Sequence, residues 1–539
     1  MSIHRSTVWV EIPNITIAEL MQDNVENTPP DKIIYEESHT GKTATYGVFH
    51  RRIRQTAYNL AKIGFQPGQI LSISAGSSIE YILVAQAVWY VGGVVSLINN
   101  SLHPDEFRHA VDLVKPDYLV VDESLYTKLP GVLERSTHCK AQSIQIFSIG
   151  KISPSYPPFP INTSPSLNEP ELAHPMPPGD PSKTCAAILL SSGTTGRSKA
   201  VMLSHTNLVA ACYQLRTHNP SNWNIHNREI FFPPLSHVYA LYVCFTMCAW
   251  LGMYVCLMPR FELETYCRLM SERKASIARI VPPIAKMLAE RKEVRKFEYP
   301  CLEYFSCSAA PLHEDTAAKL REAFPGAVLA QTYGCTELSG PCIQSGARDK
   351  DILTSSTAAG TLIANSEIRF LDTDGKDVGA KGPGEITCRG PNVMMGYKDN
   401  AEETAKAIQN GWLRTGDLGF IDQNDCLHIY DRIKDLIKYK GFQLAPSELE
   451  NILILHPLVQ EAAVIGIWSE NEATEVPRAF VVLKSKTADV CEIAAFVASR
   501  VSNYKALRGG VVVVDALPKN PTGKVLKKQL RVAERENKL

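Results

Sequence analysis

The sequence predicts an α/β protein in two parts, a large N-terminal α/β domain over residues 1–431 and a small α+β domain over residues 432–539. Three observations predict it. Helix-periodic segments alternate with short apolar strands through residues 1–430, the pattern of strands covered by crossover helices. At residues 431–434 (DRIK) the alternation stops, and a lysine-rich loop opens a different pattern. The chain is 539 residues long, more than one hydrophobic core usually organises.

The elements follow in chain order. Residues 79–98 read as a buried helix stopped by Gly92-Gly93, then a buried strand. Residues 153–183 are dense in proline, which blocks both helix and ladder hydrogen bonds, so they read as a surface loop within one domain. Further buried strands are expected at residues 186–191, 277–281 and 327–331. Residues 239–258 (YALYVCFTMCAWLGMYVCLM) carry no charge and approach the length of a membrane span. The favoured reading is a buried helix broken at Gly252 and a strand ending at Pro259, because phosphate-type motifs flank the run and need one compartment. Residues 419–430 (GFIDQNDCLHIY) read as a hairpin with an Asn-Asp turn. Beyond the boundary come a helix opened by Ser447 and Glu450 in capping-box spacing, strands at 459–467 and 478–483, a helix at 490–502 and a strand at 511–515. No internal repeat is visible.

Composition narrows the function. Lys+Arg and Asp+Glu both total 56, so no basic face is implied and nucleic acid is excluded as a partner. With 45% hydrophobic and 21% charged residues the chain is an ordinary globular one. Its 14 cysteines are scattered without a CxxC pair, which argues against a disulfide scaffold and a zinc site and for a reducing, intracellular compartment. Residues 1–16 contain no apolar run of secretory length.

The densest chemistry lies at residues 189–205, LLSSGTTGRSKAVMLSH. An apolar strand runs into small hydroxyl residues, two glycines, an arginine and a lysine. Glycine lets the backbone approach an anion, hydroxyls and N–H groups donate to phosphate oxygens, and lysine supplies charge. The spacing is not that of a Walker A loop. Seven further motifs follow: FPPLSHVYAL (232–241), SAAPL (308–312), QTYGCTE (331–337), GPGEI (382–386), GWLRTGDLG (411–419), DRIKDLIKYKGFQLAPSELE (431–450) and PKNPTGK (518–524).

In content and order these motifs resemble the acyl-adenylate-forming (AMP-binding) superfamily, over nearly the whole chain. Within it they look most like those of 4-coumarate–CoA ligases and related acyl-CoA synthetases. The resemblance implies a multi-subdomain adenylation domain and a mobile C-terminal lid. It also implies a reaction: ATP activates an aryl, hydroxycinnamic or medium-chain carboxylic acid as acyl-AMP, and coenzyme A takes the acyl group. Two anions meet in the first step, so catalysis is charge neutralisation and positioning.

By that resemblance Ser191, Ser192, Gly193, Thr194, Thr195 and Lys199 hold the β- and γ-phosphates. Thr336 contacts the α-phosphate and Glu337 holds Mg²⁺, an oxygen-seeking cation. Asp417 accepts the ribose hydroxyls with help from Arg432, and Ala309, Ala310, Gln331, Thr332 and Tyr333 form the adenine side. Lys524 bridges acyl carboxylate and phosphate once the lid has closed, Lys434 is the hinge, and Lys438, Lys440 and Gly441 face the site during thiol transfer. Arg260 sits where related ligases place a lysine against a CoA phosphate. His237, Tyr239, Ser308 and Gly334 border the acyl pocket. An Asp that would pair with the amine of an α-amino acid is missing from FPPLSHVYAL, which argues against such a substrate. Cys335 reads as packing.

Some positions depart from the pattern. Ser308, Thr332 and Ala200 stand where glycine is usual, and residues 338–342 are one residue longer than in 4-coumarate ligases, so substrate identity does not carry over. Loading of an acyl carrier protein is the alternative to CoA. A luciferase-like oxygenase and a catalytically silent nucleotide-binding module are more distant readings. The last three residues, 537–539 (NKL), resemble the SKL peroxisomal address in two positions of three, leaving peroxisome and cytoplasm both open.

Overall fold

The computed structural model describes the chain except residues 1–2, 142, 152, 154, 162–168, 177–178, 192–197, 311, 313, 345–357, 373, 380–382, 441, 473, 485–488, 521–523 and 537–539. Ser192, Gly193, Thr194, Thr195, Gly441 and the NKL tripeptide therefore lie outside the described residues.

Two large sheets form the N-terminal part, and their strands carry the site. In chain order those strands are β1 (Cys185–Ser191), β2 (Lys199–Ser204), β3 (Arg228–Phe231), β4 (Ile277–Ile280), β5 (Tyr304–Cys307), β6 (Val328–Cys335), β7 (Gly340–Gln344), β8 (Gly396–Tyr397), β9 (Trp412–Ile421) and β10 (Leu427–Arg432). The first sheet has seven strands, with β8, β2 and β1 at one end and Val94–Leu97 beside β1. Its inner parallel strands Val94–Leu97 and Tyr118–Val121 are buried at every position, as strands covered on both faces are. Helix Ile79–Tyr90 is buried almost all round, capped by the Ser78 hydroxyl, and ends at Gly92 before Val94–Leu97, as the sequence pattern predicts.

In the second sheet β3, β4, β5 and β6 run parallel. The strand expected at 327–331 extends to Cys335, because its second half turns into antiparallel pairing with β7 (Thr332 opposite Gln344, Tyr333 opposite Ile343). Beyond β7 the sheet is antiparallel and includes the β9–β10 hairpin, whose Asn-Asp turn is held by the Asp422 carboxylate accepting from the Asn424 and Cys426 N–H groups.

The uncharged run 239–258 is a buried helix and strand, with one difference from expectation. Residues Leu241–Met247 are wound as a π-helix before the α-helical turn Cys248–Leu251. Gly252 ends it at φ +69°, and strand Tyr254–Leu257 follows. Among the described residues no helix is long and apolar enough to cross a membrane. The proline-rich stretch is more than a surface loop. Asn59 Nδ2 donates to the Pro160 carbonyl, Tyr90 Oη to that of Leu172, and Met176 N to that of Tyr90, which strap it to two helices. All 14 cysteines are free.

The C-terminal part has its own core, with Ile437, Leu449, Leu453, Val464, Val481 and Ile493 buried together. Strands Val459–Ser469 and Thr474–Leu483 pair antiparallel, Val511–Val513 adds parallel, and helices Pro446–Ile454, Val490–Ala498 and Lys527–Arg535 accompany them. The capping box expected at Ser447 and Glu450 does not form. The helix starts at Pro446 without a side-chain cap, because its N-cap residue is Ala445, which has no side-chain acceptor, and Ser447 falls at the second helical position. Ser447 instead donates its hydroxyl to the Tyr430 carbonyl and its N–H to Asp431, while Glu450 accepts from Val464 N and Lys527. Both residues are spent on tertiary contacts: Ser447 ties this domain to the end of β10, and Glu450 ties the helix to a strand and a helix of the same domain.

Gly252 offers a direct check of the packing. A Cβ there would lie 2.3 Å from Thr28 Oγ1, and the residue is already left-handed. Gly252→Ala is expected to destabilise the protein by about 2–4 kcal/mol, seen as a lower apparent melting temperature.

Candidate functional site: a cleft between the large domain and the lid

The β9–β10 hairpin sets the centre of the site. Its register puts Asp417 opposite Arg432, and Arg432 Nε lies 3.0 Å from Asp417 Oδ1. The other carboxylate oxygen accepts from Tyr333 Oη at 2.8 Å. Burial, then the Asp417 charge, pushes the Tyr333 phenol well above its ordinary range, so it is a fixed donor. Asp417 is only 5% exposed, while Ala309, Ala310 and Gly334 nearby in the fold are exposed. Gly334 is obligatory: a Cβ there would sit 2.1 Å from the Gly340 carbonyl oxygen across the β6–β7 pair.

Several expected nucleotide neighbours spend their side chains on scaffold. Gln331 accepts from Leu312 N and donates to the Ala358 carbonyl, and the Thr332 and Ser306 hydroxyls bond at 2.9 Å. Ser308 N donates to the Ile280 carbonyl. Ala200 has no positive φ among the described residues, so its lost glycine is tolerated.

A second group forms where β1 and β2 meet. Ser191 pairs with Lys199 across the strands, and its hydroxyl is buried without a partner among the described residues. Lys199 Nζ donates to Glu403 at 2.5 Å and lies 4.7 Å from the Tyr397 ring centre. Lys199 and Lys406 hold the Glu403 carboxyl down at about 2. Tyr397, on β8 beside β2, donates its hydroxyl to Glu337 at 3.2 Å. Thr336 opens the one-turn 3₁₀ helix that carries Glu337.

The lid supplies the third group. Lys524 is clamped at its backbone by Asn520, which exchanges two hydrogen bonds of 2.9 Å with it. Burial, then Arg432, depresses its amine to about 8, with Asp417 opposing. Lys434 is lowered by burial and by Arg432. On the large domain His237 accepts from Tyr239 N through Nδ1, which assigns its proton to Nε2. Burial, then Lys524, lowers this imidazole to about 4, so it is neutral at pH 7. The ring is open to solvent by area yet crowded by neighbours, as expected for a cleft wall. Lys524 thus lies within range of the Asp417 and Arg432 charges, and His237 within range of that of Lys524, although all are far apart in sequence.

Other expected residues are not gathered here. Lys440 pairs with Glu472 within the lid, and the Lys438 N–H donates to Glu475. Both side chains are exposed, as is Arg260. Among the described residues no hydrogen bond or ion pair joins these three to the cleft.

Comparison with known proteins matches this geometry. Residues 21–398 match the sequence model described as AMP-binding enzyme, and residues 448–524 that of the AMP-binding enzyme C-terminal domain. The chain belongs to the AMP-binding enzyme family. It is 33% identical to a probable 4-coumarate–CoA ligase 1 of Dictyostelium discoideum, covering 96% of this chain and 95% of the relative. It is 33% identical to a 4-coumarate–CoA ligase of Pinus taeda, covering 91% and 90%. Among solved structures, ATP-bound MatB from Rhodopseudomonas palustris superposes with a TM-score of 0.84 at 26% identity over 96% and 98% of the two chains.

Two residues of this AMP-binding enzyme escaped the sequence reading, Tyr397 and Glu403. The only local signal was Asn400 three positions before Glu403, which marks a helix start. Their use, holding Lys199 and Glu337, depends on β8 pairing with β2. Removing the central charge tests the arrangement. Asp417→Asn keeps the shape but leaves Arg432 and Lys524 uncompensated. The KM for ATP is expected to rise about tenfold or more, measured by acid-dependent ATP–pyrophosphate exchange with an unchanged circular dichroism spectrum.

Proposed function

We propose that this chain is an ATP-dependent acid–thiol ligase. It activates an aryl, hydroxycinnamic or medium-chain carboxylic acid as acyl-AMP and then transfers the acyl group to coenzyme A. One observation supports the reading: Asp417 is bound by Arg432 and Tyr333 on the large-domain side, and the charges of Arg432 and Asp417 act on the Lys524 amine of the C-terminal domain, whose charge in turn acts on His237. The similarity to 4-coumarate–CoA ligases supports the acid class and the thiol acceptor.

The roles follow from charge. A carboxylate attacking the α-phosphorus of ATP brings two anions together, and bringing cations to that point is the main catalytic need. Lys524 contacts both acyl carboxylate and α-phosphate, while Thr336 donates to the same phosphate. Ser191 and the hydroxyls and glycine at 192–195 receive the β- and γ-phosphates, and the orphaned Ser191 hydroxyl is a donor waiting for such an acceptor. Lys199 leaves or shares Glu403 to join them. Tyr333, with Ala309, Ala310 and the backbone at Gln331 and Thr332, flanks adenine. Asp417 and Arg432 hold the ribose. His237, Tyr239, Ser308 and Gly334 border the acid. Glu337 fits Mg²⁺, because Tyr397 occupies one oxygen and this cation needs only one or two protein carboxylates beside phosphate oxygens and water. Bound there, the ion would neutralise phosphate charge.

The lid begins at residue 432 and turns about Lys434. Adenylation uses the face that carries Lys524. Thiol transfer uses the face that carries Lys438, Lys440 and Gly441, with Arg260 against a CoA phosphate. Two faces on one hinge let a single cleft perform both half-reactions in turn.

A panel of carboxylic acids, with CoA and an acyl carrier protein as rival acceptors, is expected to give acid-dependent ATP–pyrophosphate exchange and then AMP release with CoA. No exchange across the panel would sink the ligase reading, and AMP release with the carrier alone would replace CoA by the carrier.

The lid model makes a separate prediction. Lys524→Ala should lower exchange by about 10²-fold or more yet leave thiolation of a supplied acyl-adenylate largely intact. Lys524 is an ammonium below about pH 8 and neutral above it. Exchange kcat/KM should therefore fall as pH rises through that value in the wild type, and stay flat there in Lys524→Arg. Equal loss of both half-reactions in Lys524→Ala would contradict a two-faced lid.

A further inference from the structure

An enclosed ion pair that adenylation and thiolation do not use lies next to the acyl side of the cleft. Glu229 on β3 and Arg279 on β4 have side chains only 1% and 2% exposed, and Arg279 Nη1 donates to the Glu229 carboxylate. Glu229 stands opposite Ile277, and side chains two apart share a strand face, so Glu229, Phe231 and Arg279 rise from the same side of the sheet. That side meets an aromatic cluster. The Arg279 guanidinium lies 4.1 Å from the Trp223 ring centre, and its Nη2 donates to the Asn222 carbonyl. Trp223 packs on Tyr242, Tyr242 on Tyr239, and Tyr239 on Phe231, with ring centres 6.1, 5.2 and 5.7 Å apart. Tyr239 follows His237 by two residues at the start of the buried helix.

Stability does not explain the pair. A buried ion pair is generally no more stabilising than apolar residues of the same volume, and Phe231, Trp223 and Tyr242 on its side of the sheet are buried aromatics. Two polar groups beside it are orphaned: Tyr239 Oη and Asn222 Nδ2 are buried without a hydrogen-bond partner among the described residues. Such groups call for a partner, which water or another molecule's polar atoms can supply.

We propose that Glu229 is a specificity-determining residue of the acyl pocket: by neutralising Arg279 it keeps the far end polar but without net charge, and so rejects acids that carry a second ionised group there. The inference rests on the ligase reading. A distal carboxylate gives up its hydration and meets a cation already taken, with Glu229 repelling it. A distal ammonium meets Arg279 in the same way. An uncharged far end loses little, and Tyr239 Oη and Asn222 Nδ2 can hydrogen-bond to it.

The test is pyrophosphate exchange by the full chain with matched acids: cinnamate, 4-carboxycinnamate and 4-(aminomethyl)cinnamate, or hexanoate, adipate and 6-aminohexanoate if alkyl acids are preferred. In the wild type both charged acids should fall about tenfold or more below the uncharged one in kcat/KM. Glu229→Gln should raise the dicarboxylic acid about tenfold relative to the uncharged acid, and Arg279→Gln should raise the amino acid instead. Opposite gains from the two variants separate charge selection from loosened packing, which would move all three acids together. A wild type that takes the dicarboxylic acid as readily as the uncharged one overturns the proposal without any variant, and so do folded variants with unchanged ratios. Silence of the wild type on every acid defeats the ligase reading itself.

Discussion

The site depends on one carboxylate held among three cations. Asp417 is bound by Arg432 at 3.0 Å and by the Tyr333 hydroxyl at 2.8 Å, with Lys434 and Lys524 close enough to feel both charges. Burial, then the Arg432 charge, lowers the Lys524 amine to about 8 from 10.5, with Asp417 and Asp435 opposing. A depression of that size disfavours the ammonium by about 3 kcal/mol. In the proposed reaction the triphosphate offsets the penalty, since its negative charge favours the ammonium that burial disfavours. Nucleotide binding and lid closure then favour each other, because each relieves what the other leaves uncompensated.

The β9–β10 hairpin makes that geometry possible. It pairs Asp417 with Arg432 by strand register, and strand register fixes which face a side chain takes, since a slip of one residue would send Asp417 to the opposite side. The same strand ends at Arg432, and the chain passes through Lys434 into the lid within two residues. Asp417 and the segment proposed as the hinge are therefore joined through one hairpin. Asp431 and Tyr430 extend it by binding Ser447 at the start of the first lid helix.

What was legible in the sequence follows from this division. The helix and strand of residues 79–98, the β9–β10 hairpin and the buried run ending at Pro259 were readable because each is fixed by local pattern: apolar periodicity, glycine stops and turn residues. Motif order carried the resemblance; of its residues Asp417, Arg432 and Tyr333 meet directly, Lys524 lies within range of the Asp417 and Arg432 charges, and His237 within range of that of Lys524. What stayed hidden depends on partners distant in sequence. The second half of β6 is a strand only because β7 returns beside it. Ser447 and Glu450 have capping-box spacing, yet the end of β10 and Lys527 claim them first. The π-helical winding of Leu241–Met247 leaves no mark in its apolar pattern.

Charge balance distinguishes the two ends of the cleft, and the difference fits the two molecules that would meet there. At the proposed phosphate end four cations, Lys199, Arg432, Lys434 and Lys524, are available to a polyanion, with Glu403, Asp417 and Asp435 as their present counter-charges and Lys199 held on Glu403. A polyanion enters such a field without being asked to shed charge. At the acyl end one glutamate meets one arginine, and the sum is zero. An acid must arrive there with its reacting carboxylate toward the cations and its other end toward a surface that holds no net charge. Orientation is then decided by electrostatics before any shape-specific contact is made, because the reversed pose would desolvate the carboxylate against a paired arginine and leave the lid cations facing the uncharged end.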